Sequence, residues 1–447
     1  MKTFITVIIT ILTIYVLSVT TYAYDPIKIA YDIKSFKSEI TADSGNIEQI
    51  LKDAFDCDPR LVLYYKGYRG SKNSYSSVIN INYDNTDIPI DDIYFASNKG
   101  DLISLITRAL LYSENRICIT SQNIPADISI INEYISEISK TCPIAFTGYR
   151  GNSISALDIE LGGYCYYIIN FEYDFDKETL NNMKKKLEQK ACEIIASNIA
   201  RDMPPYMKVF IIHNYIINNC KYASDYTSNS DPSYYTAYGA LVNGKAVCDG
   251  YASAAKILFD FCGIENIKVS GTSKGVGHAW NLIKLDNDYY HIDTTWDDPV
   301  SHNGIDYLKY NYYNLTDSEI SYDHIWNAEE YPKANGSIYT YEKTIELIKN
   351  DKNSYTDGYT SFNSVFGEYT PLTGSINPNE DLYNEHTETT SLKTIEPASI
   401  LNETNDNLHI NSDIFINIIT GLLKNPMAAF EIIFVIVLIF AVVRKIF

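Results

Sequence analysis

Two periods of apolar residues alternate along the first part of the chain. In residues 46–55 and 130–138, apolar side chains recur every three or four positions, which predicts helices with one buried face. In residues 78–83 and 166–173, apolar and polar residues alternate, which predicts strands that turn one face toward a core. The pattern therefore predicts mixed helix and sheet, with each helix followed by a strand.

A four-residue motif is repeated in the same region. Gly67-Tyr68-Arg69-Gly70 recurs 81 positions later as Gly148-Tyr149-Arg150-Gly151. Each copy follows one of the predicted helices and precedes one of the alternating strands. We therefore predict two duplicated small α+β units, residues 24–98 and 99–176. Neither unit gathers catalytic side chains, so we expect a structural or substrate-presenting role for both.

The period becomes helical again from Lys177 onward. After the break at Pro204-Pro205, a second helix is predicted, and it carries His213, for which we expect a packing or surface role. We assign residues 177–340 to a catalytic domain, for the reasons given below. Residues 341–374 keep several aromatic side chains and are assigned to an extension of the folded part.

The two ends of the chain resemble targeting and membrane segments. Residues 1–23 combine a positive start, an apolar run and small residues at a cleavage site, which predicts a signal peptide removed before Tyr24; a retained anchor is the alternative. Residues 426–447 are mostly apolar and carry the positive pair Arg444-Lys445 near their end, which predicts a single-pass anchor in the lipid bilayer with a short cytoplasmic C-terminus. The polar, acidic residues 375–425 predict a stalk. We therefore expect a plasma-membrane protein that is mainly extracellular.

Composition excludes several classes of protein. With 447 residues, 46% of them hydrophobic and 21% charged, the chain is neither collagenous, nor wholly disordered, nor a polytopic membrane protein. Its formal charge of −20 argues against a nucleic-acid partner, which would need phosphate contacts. The eight cysteines include no CxxC pair, so we predict no structural zinc and no cofactor. If one cysteine is catalytic, seven remain, and at least one of them is unpaired or pairs with another molecule.

One cysteine lies at the start of a predicted buried helix. A turn at Gly244 leads into Cys248, and the apolar stripe that follows ends at Gly263. The unpaired N–H groups and the dipole at a helix start favour an anion, which lowers the pKa of a thiol there and can also hold an oxyanion. A purely structural cysteine would have apolar neighbours, whereas Lys245 and Asp249 flank this one. Cys248 is therefore our candidate nucleophile.

Two strands follow and form a predicted hairpin. Residues 277–285 and 289–295 alternate around a turn at Asp286-Asn287. With a loop of two or four residues, Asp293 lies diagonal to His278 on the same face, within reach of its side chain. A loop with an odd number of residues would put the two on opposite faces.

Cys248, His278 and Asp293 thus supply a nucleophile, a base and an orienting group. His278 would share the thiol proton and later protonate the leaving amine, while Asp293 would fix its tautomer. Trp280, on the same face as His278, would shield the pair from water. The residues that we expect around the substrate and the oxyanion are Trp280, Asp249, Gly250 and Tyr251.

Three motifs carry these residues: GKAVCDGYA (244–252), GHAWN (277–281) and YHIDTTWDDP (290–299). They resemble the transglutaminase-like superfamily, in its microbial branch of exported cysteine-protease-like proteins, and the resemblance covers about residues 205–330. It implies a papain/transglutaminase-like core, in which a helix bearing the nucleophile packs on an antiparallel sheet bearing the other two groups. It also implies a papain-type triad at the three residues named above.

The predicted activity is acyl transfer at a carboxamide or peptide bond of a protein or peptide substrate at the cell surface. Water as the acceptor makes a cysteine peptidase or deamidase, which we favour because the sequence has no evident water-excluding elements. A lysine amine as the acceptor makes a protein-crosslinking transglutaminase. A surface scaffold or adhesin is the non-enzymatic alternative.

A metal site is the main chemical alternative to the triad. It would use Cys248, His278, Asp293 and also His291, which shares a strand face with Asp293. The segment Asp297-Asp298-Pro299 predicts a turn, with calcium as a remote option. For His302 and His324, which lie beyond the two strands, we expect surface or packing roles.

Overall fold

The computed structural model describes residues 24–43, 45–224, 231–299 and 308–350. Within these residues, no helix is both long enough and apolar enough to cross a membrane. Four predicted segments lie wholly or mostly outside the described residues: the signal peptide (1–23), the stalk (375–425), the membrane anchor (426–447) and the extension at 341–374.

A three-stranded antiparallel sheet with two helices forms the first unit. Its elements are α1 (Pro26–Lys34), β1 (Glu39–Ala42), α2 (Ile47–Cys57), a 3₁₀ turn at Pro59–Tyr64, β2 (Tyr65–Lys72) and β3 (Ser77–Tyr83), in the sheet order β1-β3-β2. The Asn46 side chain accepts a hydrogen bond from the Glu48 backbone N–H. This cap starts α2 at the point where the helical period of the sequence begins.

The second unit repeats this topology and adds one strand. Its elements are β4 (Ile93–Ala96), α3 (Lys99–Leu111), β5 (Arg116–Gln122), α4 (Ile128–Thr141), a 3₁₀ turn at Pro143–Phe146, β6 (Tyr149–Asp158) and β7 (Tyr164–Tyr173). The sheet order is β4-β5-β7-β6. Without β4, both units run helix, strand, helix, 3₁₀ turn, strand, strand and place their strands in the same order, so the predicted duplication is confirmed.

The second sheet begins before the predicted boundary at residue 99. Strand β4 pairs in parallel with β5, from Ile93 beside Cys118 to Ala96 beside Ser121. A parallel pair needs a crossover, which α3 provides. Because the pairing partner of β4 lies on the far side of a helix, the period of β4 alone does not reveal its sheet.

The repeated Gly-Tyr-Arg-Gly motif does not occupy equivalent positions in the two units. Each outer strand has an irregularity in its pairing with the next strand, between Tyr65 and Gly67 in β2 and between Tyr149 and Gly151 in β6. These bulges are 84 positions apart, whereas the motifs are 81 apart. The fold therefore matches Gly67 with Gly151, which closes the second motif, and not with Gly148, which opens it.

The second sheet is covered on both faces. On one face, Cys118 and Tyr164 join the core of the first unit. On the other face, Ile119 and Tyr167 belong to a separate core with residues of α3 and α4 such as Ile106. The two α+β units are therefore packed together through one sheet, and the duplicated region has two cores.

The third part is a helical cluster packed on an antiparallel sheet. Its elements are α5 (Lys177–Asn198), α6 (Pro205–Asn219), β8 (Lys221–Tyr222), β9 (Lys245–Ala246), α7 (Cys248–Phe261), β10 (Asn266–Ser273), β11 (Val276–Leu285), β12 (Asp288–Ile292), α8 (Asp317–Ile320), β13 (His324–Trp326) and α9 (Tyr341–Asn350). The main sheet has the order β12-β11-β10-β13. This arrangement confirms the predicted α+β fold.

Helix α7 lies at the centre of this part. Ala254, Ala255 and Leu258 are fully buried and share one core with Ile283 of β11 and Ile292 of β12. Small alanine side chains let the helix approach the sheet closely. The helix ends at Phe261 with Cys262 as its C-cap, and Gly263 follows with a φ of 71°, as predicted for a left-handed glycine terminus.

A buried lysine joins the third part to the second unit. The Lys184 ammonium on α5 donates to the backbone carbonyls of Leu110 and Leu111 and to the Ser113 hydroxyl, at 2.5, 3.1 and 2.8 Å. It thereby satisfies carbonyls at the end of α3. Burial lowers the pKa of Lys184 to about 8.

Candidate active site

The thiol of Cys248 lies at the first position of α7. Val247, just before it, has extended backbone angles, and the helical conformation begins at the cysteine itself. The residue is half-buried. A thiolate here would benefit from the N–H groups and the positive end of the α7 dipole. Among the described residues, all eight cysteines are free thiols.

The hairpin of β11 and β12 has the predicted register. Leu285 lies opposite Asp288, and the Asp286-Asn287 turn is closed by Asp286 in a left-handed conformation, with a φ of 53°. Aspartate tolerates this conformation well. The chain leaves β12 one residue before Asp293, and the His278 Nε2 lies 2.6 Å from the Asp293 Oδ2.

His278 interacts with Cys248 as well as with Asp293. Its Nε2 is taken by the carboxylate, so Nδ1 is the nitrogen left for the thiol. Burial opposes the charged ring, but the Asp293 carboxylate and the Cys248 thiol outweigh it and raise the pKa of His278 to about 10. Cys248 and Asp293 thus both interact with His278, and the hydrogen bond to Asp293 fixes which ring nitrogen faces the carboxylate.

The Asp293 carboxylate is saturated with donors. Its Oδ1 accepts the backbone N–H groups of Thr295 and Trp296 at 2.9 and 3.2 Å, and its Oδ2 receives His278 and a second histidine, His324, at 3.1 Å. Burial penalises the charge, yet the two histidines outweigh this and hold the pKa of Asp293 well below its usual range. The residue is fully buried and ionised, which suits an orienting role.

Sequence reasoning missed His324, for which we expected a surface or packing role. The residue is buried on β13, whose pairing with β10 puts it opposite Ser273. Its Nδ1 lies 2.7 Å from the Asp323 Oδ1. The signal available in the sequence was Asp323-His324-Ile325-Trp326, a carboxylate next to a histidine in the last segment that resembles the family.

Trp280 lies beside His278, on the strand face where we predicted it. It is fully buried and stacks on His278 with ring centroids 5.9 Å apart. Its indole N–H donates to the His291 Nδ1 at 2.9 Å, and the His291 Nε2 lies 2.9 Å from Asp317. Burial lowers the pKa of His291, which fits a neutral ring. Both His291 nitrogens are therefore occupied, and the predicted alternative of a metal site using this residue is wrong.

Three other residues that we expected near the substrate have different surroundings. Asp249 pairs with Lys268 of β10 at 3.0 Å and keeps a partly exposed side chain beside the nucleophile. Gly250 faces backbone, since a Cβ there would lie 2.6 Å from the Tyr234 carbonyl oxygen. Tyr251 is fully buried and donates to Asp298, so it points into the core and does not reach a substrate.

One group of side chains has the composition of a metal site. Among the described residues, His278, Asp293 and His324 offer ligand atoms that lie within 4.8 Å of one another. Those atoms are joined by hydrogen bonds of 2.6 and 3.1 Å centred on a single carboxylate oxygen. An ion bound to all three would have to break both bonds, so the group is a hydrogen-bonded network rather than a set of ligands.

An aromatic and a basic residue flank the imidazole. Trp296 approaches His278 edge-on, with ring centroids 6.1 Å apart, and the Lys274 ammonium lies 4.3 Å from the Trp296 ring centroid. Lys274 belongs to the turn between β10 and β11 and has a φ of 48°. This cation–π pair holds the Lys274 charge on a ring that itself contacts His278.

Comparisons with known proteins place part of the chain in a sequence family. Residues 193–294 match the sequence pattern of the Transglutaminase-like superfamily. Kyphoscoliosis peptidase of Mus musculus is 23% identical over 151 residues, which are 28% of this chain and 23% of the mouse protein. The match therefore spans about a quarter of that relative.

Solved structures with similarity to the chain include a TGase, at 16% identity, with a TM-score of 0.23 over 57% of this chain and 66% of that one. Another is a cysteine protease candidate from Cytophaga hutchinsonii, at 14% identity, with a TM-score of 0.21 over 33% of this chain and 65% of that one. Calcium-bound LapG of Legionella pneumophila is 11% identical, with a TM-score of 0.23 over 39% of this chain and 93% of that one. The chain contains a transglutaminase-like domain, as its motifs predict.

Proposed function

We propose that the transglutaminase-like domain is a thiol enzyme that performs acyl transfer at carboxamide or peptide bonds of proteins. Cys248 is the nucleophile, His278 the general base and acid, and Asp293 the orienting group. The observation that carries the proposal is the 2.6 Å contact between His278 and the buried Asp293, which leaves the other ring nitrogen to a thiol at a helix start.

The proposed reaction has two halves. In the first, the Cys248 sulfur attacks the carbonyl carbon, a C–S bond forms, and the oxyanion is held by N–H groups at the start of α7. His278 then gives its proton to the departing nitrogen as the C–N bond breaks, which leaves an acyl-enzyme. In the second half, His278 takes a proton from the acceptor, which attacks the thioester and releases Cys248.

We propose water as the acceptor, so that the enzyme is a cysteine peptidase or deamidase. The Lys274 charge on the Trp296 ring, which itself flanks His278, supports this, because a cation near the site disfavours the approach of a second ammonium group such as a substrate lysine. The name of the mouse peptidase favours the same outcome. Crosslinking with a lysine amine is the alternative outcome of the same first half-reaction.

The first test measures alkylation of Cys248 by iodoacetamide at pH 7, residue by residue, by mass spectrometry. The exposed Cys192 serves as an internal reference. We expect Cys248 to react at least tenfold faster than Cys192 and to lose this advantage in His278→Ala. If Cys248 and Cys192 were alkylated at equal rates in the wild type, and His278→Ala changed neither rate, a non-catalytic scaffold would be the better interpretation.

The second test separates the two acceptors. A glutaminyl protein is incubated with a labelled primary amine, with Cys248→Ala as the control. Release of ammonia or new protein termini without amine incorporation supports hydrolysis. Incorporation of the amine at more than the rate of hydrolysis would identify a transglutaminase and overturn the hydrolytic proposal.

We also propose that the protein is exported and tethered to the plasma membrane by its C-terminal apolar segment, with the enzyme outside the cell. The support is the sequence pattern of residues 1–23 and 426–447. Protease treatment of intact cells tests this: we expect loss of the folded domain while a short C-terminal fragment stays in the membrane fraction. Full protection in intact cells would contradict it.

A further inference from the structure

A single carboxylate oxygen in the site holds two histidines. The Asp293 Oδ2 is the partner of His278 Nε2 at 2.6 Å and of His324 Nε2 at 3.1 Å. The second histidine is also bound from its other side, by the Asp323 Oδ1 at 2.7 Å, and Tyr312 in turn donates to the Asp323 Oδ2 at 2.6 Å. The proposed mechanism uses only the first histidine and leaves the function of the second open.

The hydrogen bonds of His324 define its charge. Ionised carboxylates accept hydrogen bonds and donate none, so both ring nitrogens of His324 must carry a proton. The neighbouring His291 is different, since its Nδ1 accepts the Trp280 indole N–H and the ring is neutral. Burial alone would lower the pKa of His324. The Asp293 and Asp323 carboxylates outweigh burial, so the pKa of His324 lies above its ordinary value.

We propose that His324 is a charged positioning residue: as an imidazolium held by Asp323, it fixes the Asp293 carboxylate on His278 and sets the pH range in which the Cys248 thiol is reactive. The proposal rests on the proposed function, because it assumes that Cys248 and His278 form the reactive pair.

The charge of His324 acts on two neighbours in opposite senses. Its ring centroid is 5.2 Å from that of His278, so the like charge makes the His278 imidazolium less stable than Asp293 alone would make it. The same charge favours a thiolate at Cys248, which interacts with His278. Without His324, the pKa of His278 should rise, and the Cys248 thiolate should lose the support of a nearby positive charge.

Several other ionisable groups surround His324 and also influence its charge. They come from β11, β12, the loop after β12 and the β10–β11 turn: His278, His291, Asp293, Tyr312 and Lys274, besides Asp323 next to it in the chain. The test therefore changes one group at a time.

The test is the pH dependence of Cys248 alkylation in the full-length chain. We expect His324→Gln, whose amide can still donate to Asp293, to move the pH of half-maximal alkylation upward by about one unit. An unchanged midpoint, whatever the rate, would overturn the proposal, because a merely structural role alters the rate and not the pH profile.

Two further variants keep the test decisive. Asp323→Asn keeps His324 but removes the carboxylate that stabilises its positive charge. We therefore expect a smaller upward shift in the pH of half-maximal alkylation. If His324→Gln does not fold, the result for Asp323→Asn decides the test. His213→Gln removes another buried histidine of the domain, which pairs with Asp297 and not with Asp293, and should move the midpoint less than His324→Gln does. A shift in His213→Gln as large as that in His324→Gln would also overturn the proposal.

The same experiment separates this inference from the proposed function. If wild-type Cys248 reacts no faster than the exposed Cys192, the proposed function fails. If Cys248 is activated by His278 but its midpoint is the same in the wild type, His324→Gln and Asp323→Asn, only the role of His324 fails.

Discussion

Two aspartates four residues apart, each paired with a buried histidine, have opposite electrostatic behaviour. Asp293 binds His278 and has its pKa held well below the usual range, whereas burial raises the pKa of Asp297, the partner of His213 at 2.9 Å, to about 6. Asp293 receives four N–H donors, while the Asp297 carboxylate receives His213 and the Tyr312 backbone N–H. Two histidines support the charge of Asp293, whereas Asp297 has one histidine and is repelled by Asp293, so these partners decide whether each buried carboxylate stays charged.

The two histidines differ in the same way. His278 has its second nitrogen next to the Cys248 thiol, whereas the Nδ1 of His213 is buried and has no hydrogen-bond partner among the described residues. His213 instead packs against the rings of Tyr310 and Tyr313, with centroids 5.6 and 5.1 Å away. The first pair is thus arranged for proton transfer, and the second is part of the core.

The sharpest way to break this comparison is to neutralise each aspartate in turn. Asp293→Asn should lower the rate of Cys248-dependent turnover by about 10³- to 10⁴-fold, because His278 loses the charge that orients it and stabilises its imidazolium. Asp297→Asn should change that rate by less than about tenfold. Comparable losses in both variants, at equal fractions of folded protein, would show that the two pairs are not functionally distinct.

The next prediction concerns stability and pH. The folded pKa of Asp297 is raised above its ordinary value of 3.8, so this group contributes stability that is complete below that value and is lost as the pH rises through about 6. The unfolding free energy of the wild type should therefore fall relative to Asp297→Asn by up to about 2–3 kcal/mol between pH 4 and pH 6. Denaturant titrations at both pH values measure this. If the unfolding free energy of the wild type instead rose relative to Asp297→Asn between these pH values, the pKa of Asp297 would be lowered in the folded protein and not raised.

A smaller effect is expected behind the reactive histidine. Trp280→Phe keeps a ring beside His278 but removes the indole N–H, which leaves the buried His291 Nδ1 without its donor. We expect a loss of about 1–3 kcal/mol in unfolding free energy and less than a tenfold loss in the alkylation rate of Cys248. A hundredfold loss in the alkylation rate of Cys248 in a Trp280→Phe variant that remains stable would instead indicate a direct role of the indole.

Local features of the sequence were sufficient to predict most of the site. The β11–β12 register depends on a two-residue turn and strict alternation, both of which lie within a short stretch, and so the placement of Asp293 near His278 could be derived. The helix start at Cys248 follows from the residues around it. The duplication was also visible, because each unit repeats the same order of periods.

Features that depend on distant pairing were missed. His324 enters the site only because a three-residue strand, β13, pairs with β10, which lies some fifty positions earlier in the chain. Tyr251 is one helical turn from Cys248, but tight packing at Gly250 turns that side of α7 toward the core, where Tyr251 meets Asp298. The predicted boundary at residue 99 put β4 in the first unit, because its pairing partner β5 lies beyond a helix and local periodicity does not show such a partner. Periodicity gives the faces of an element but not its neighbours.

The central claim is that Asp293 keeps His278 protonated for the Cys248 thiolate, and histidine NMR tests it most directly. In the full-length chain with labelled histidine side chains, assigned by a His278→Gln variant, the His278 ring should remain protonated from pH 7 to about 9, in keeping with a pKa raised to about 10. In Asp293→Asn the same ring should be mostly neutral at pH 8. A wild-type His278 that titrates near 6.5, as an ordinary histidine does, would contradict the account.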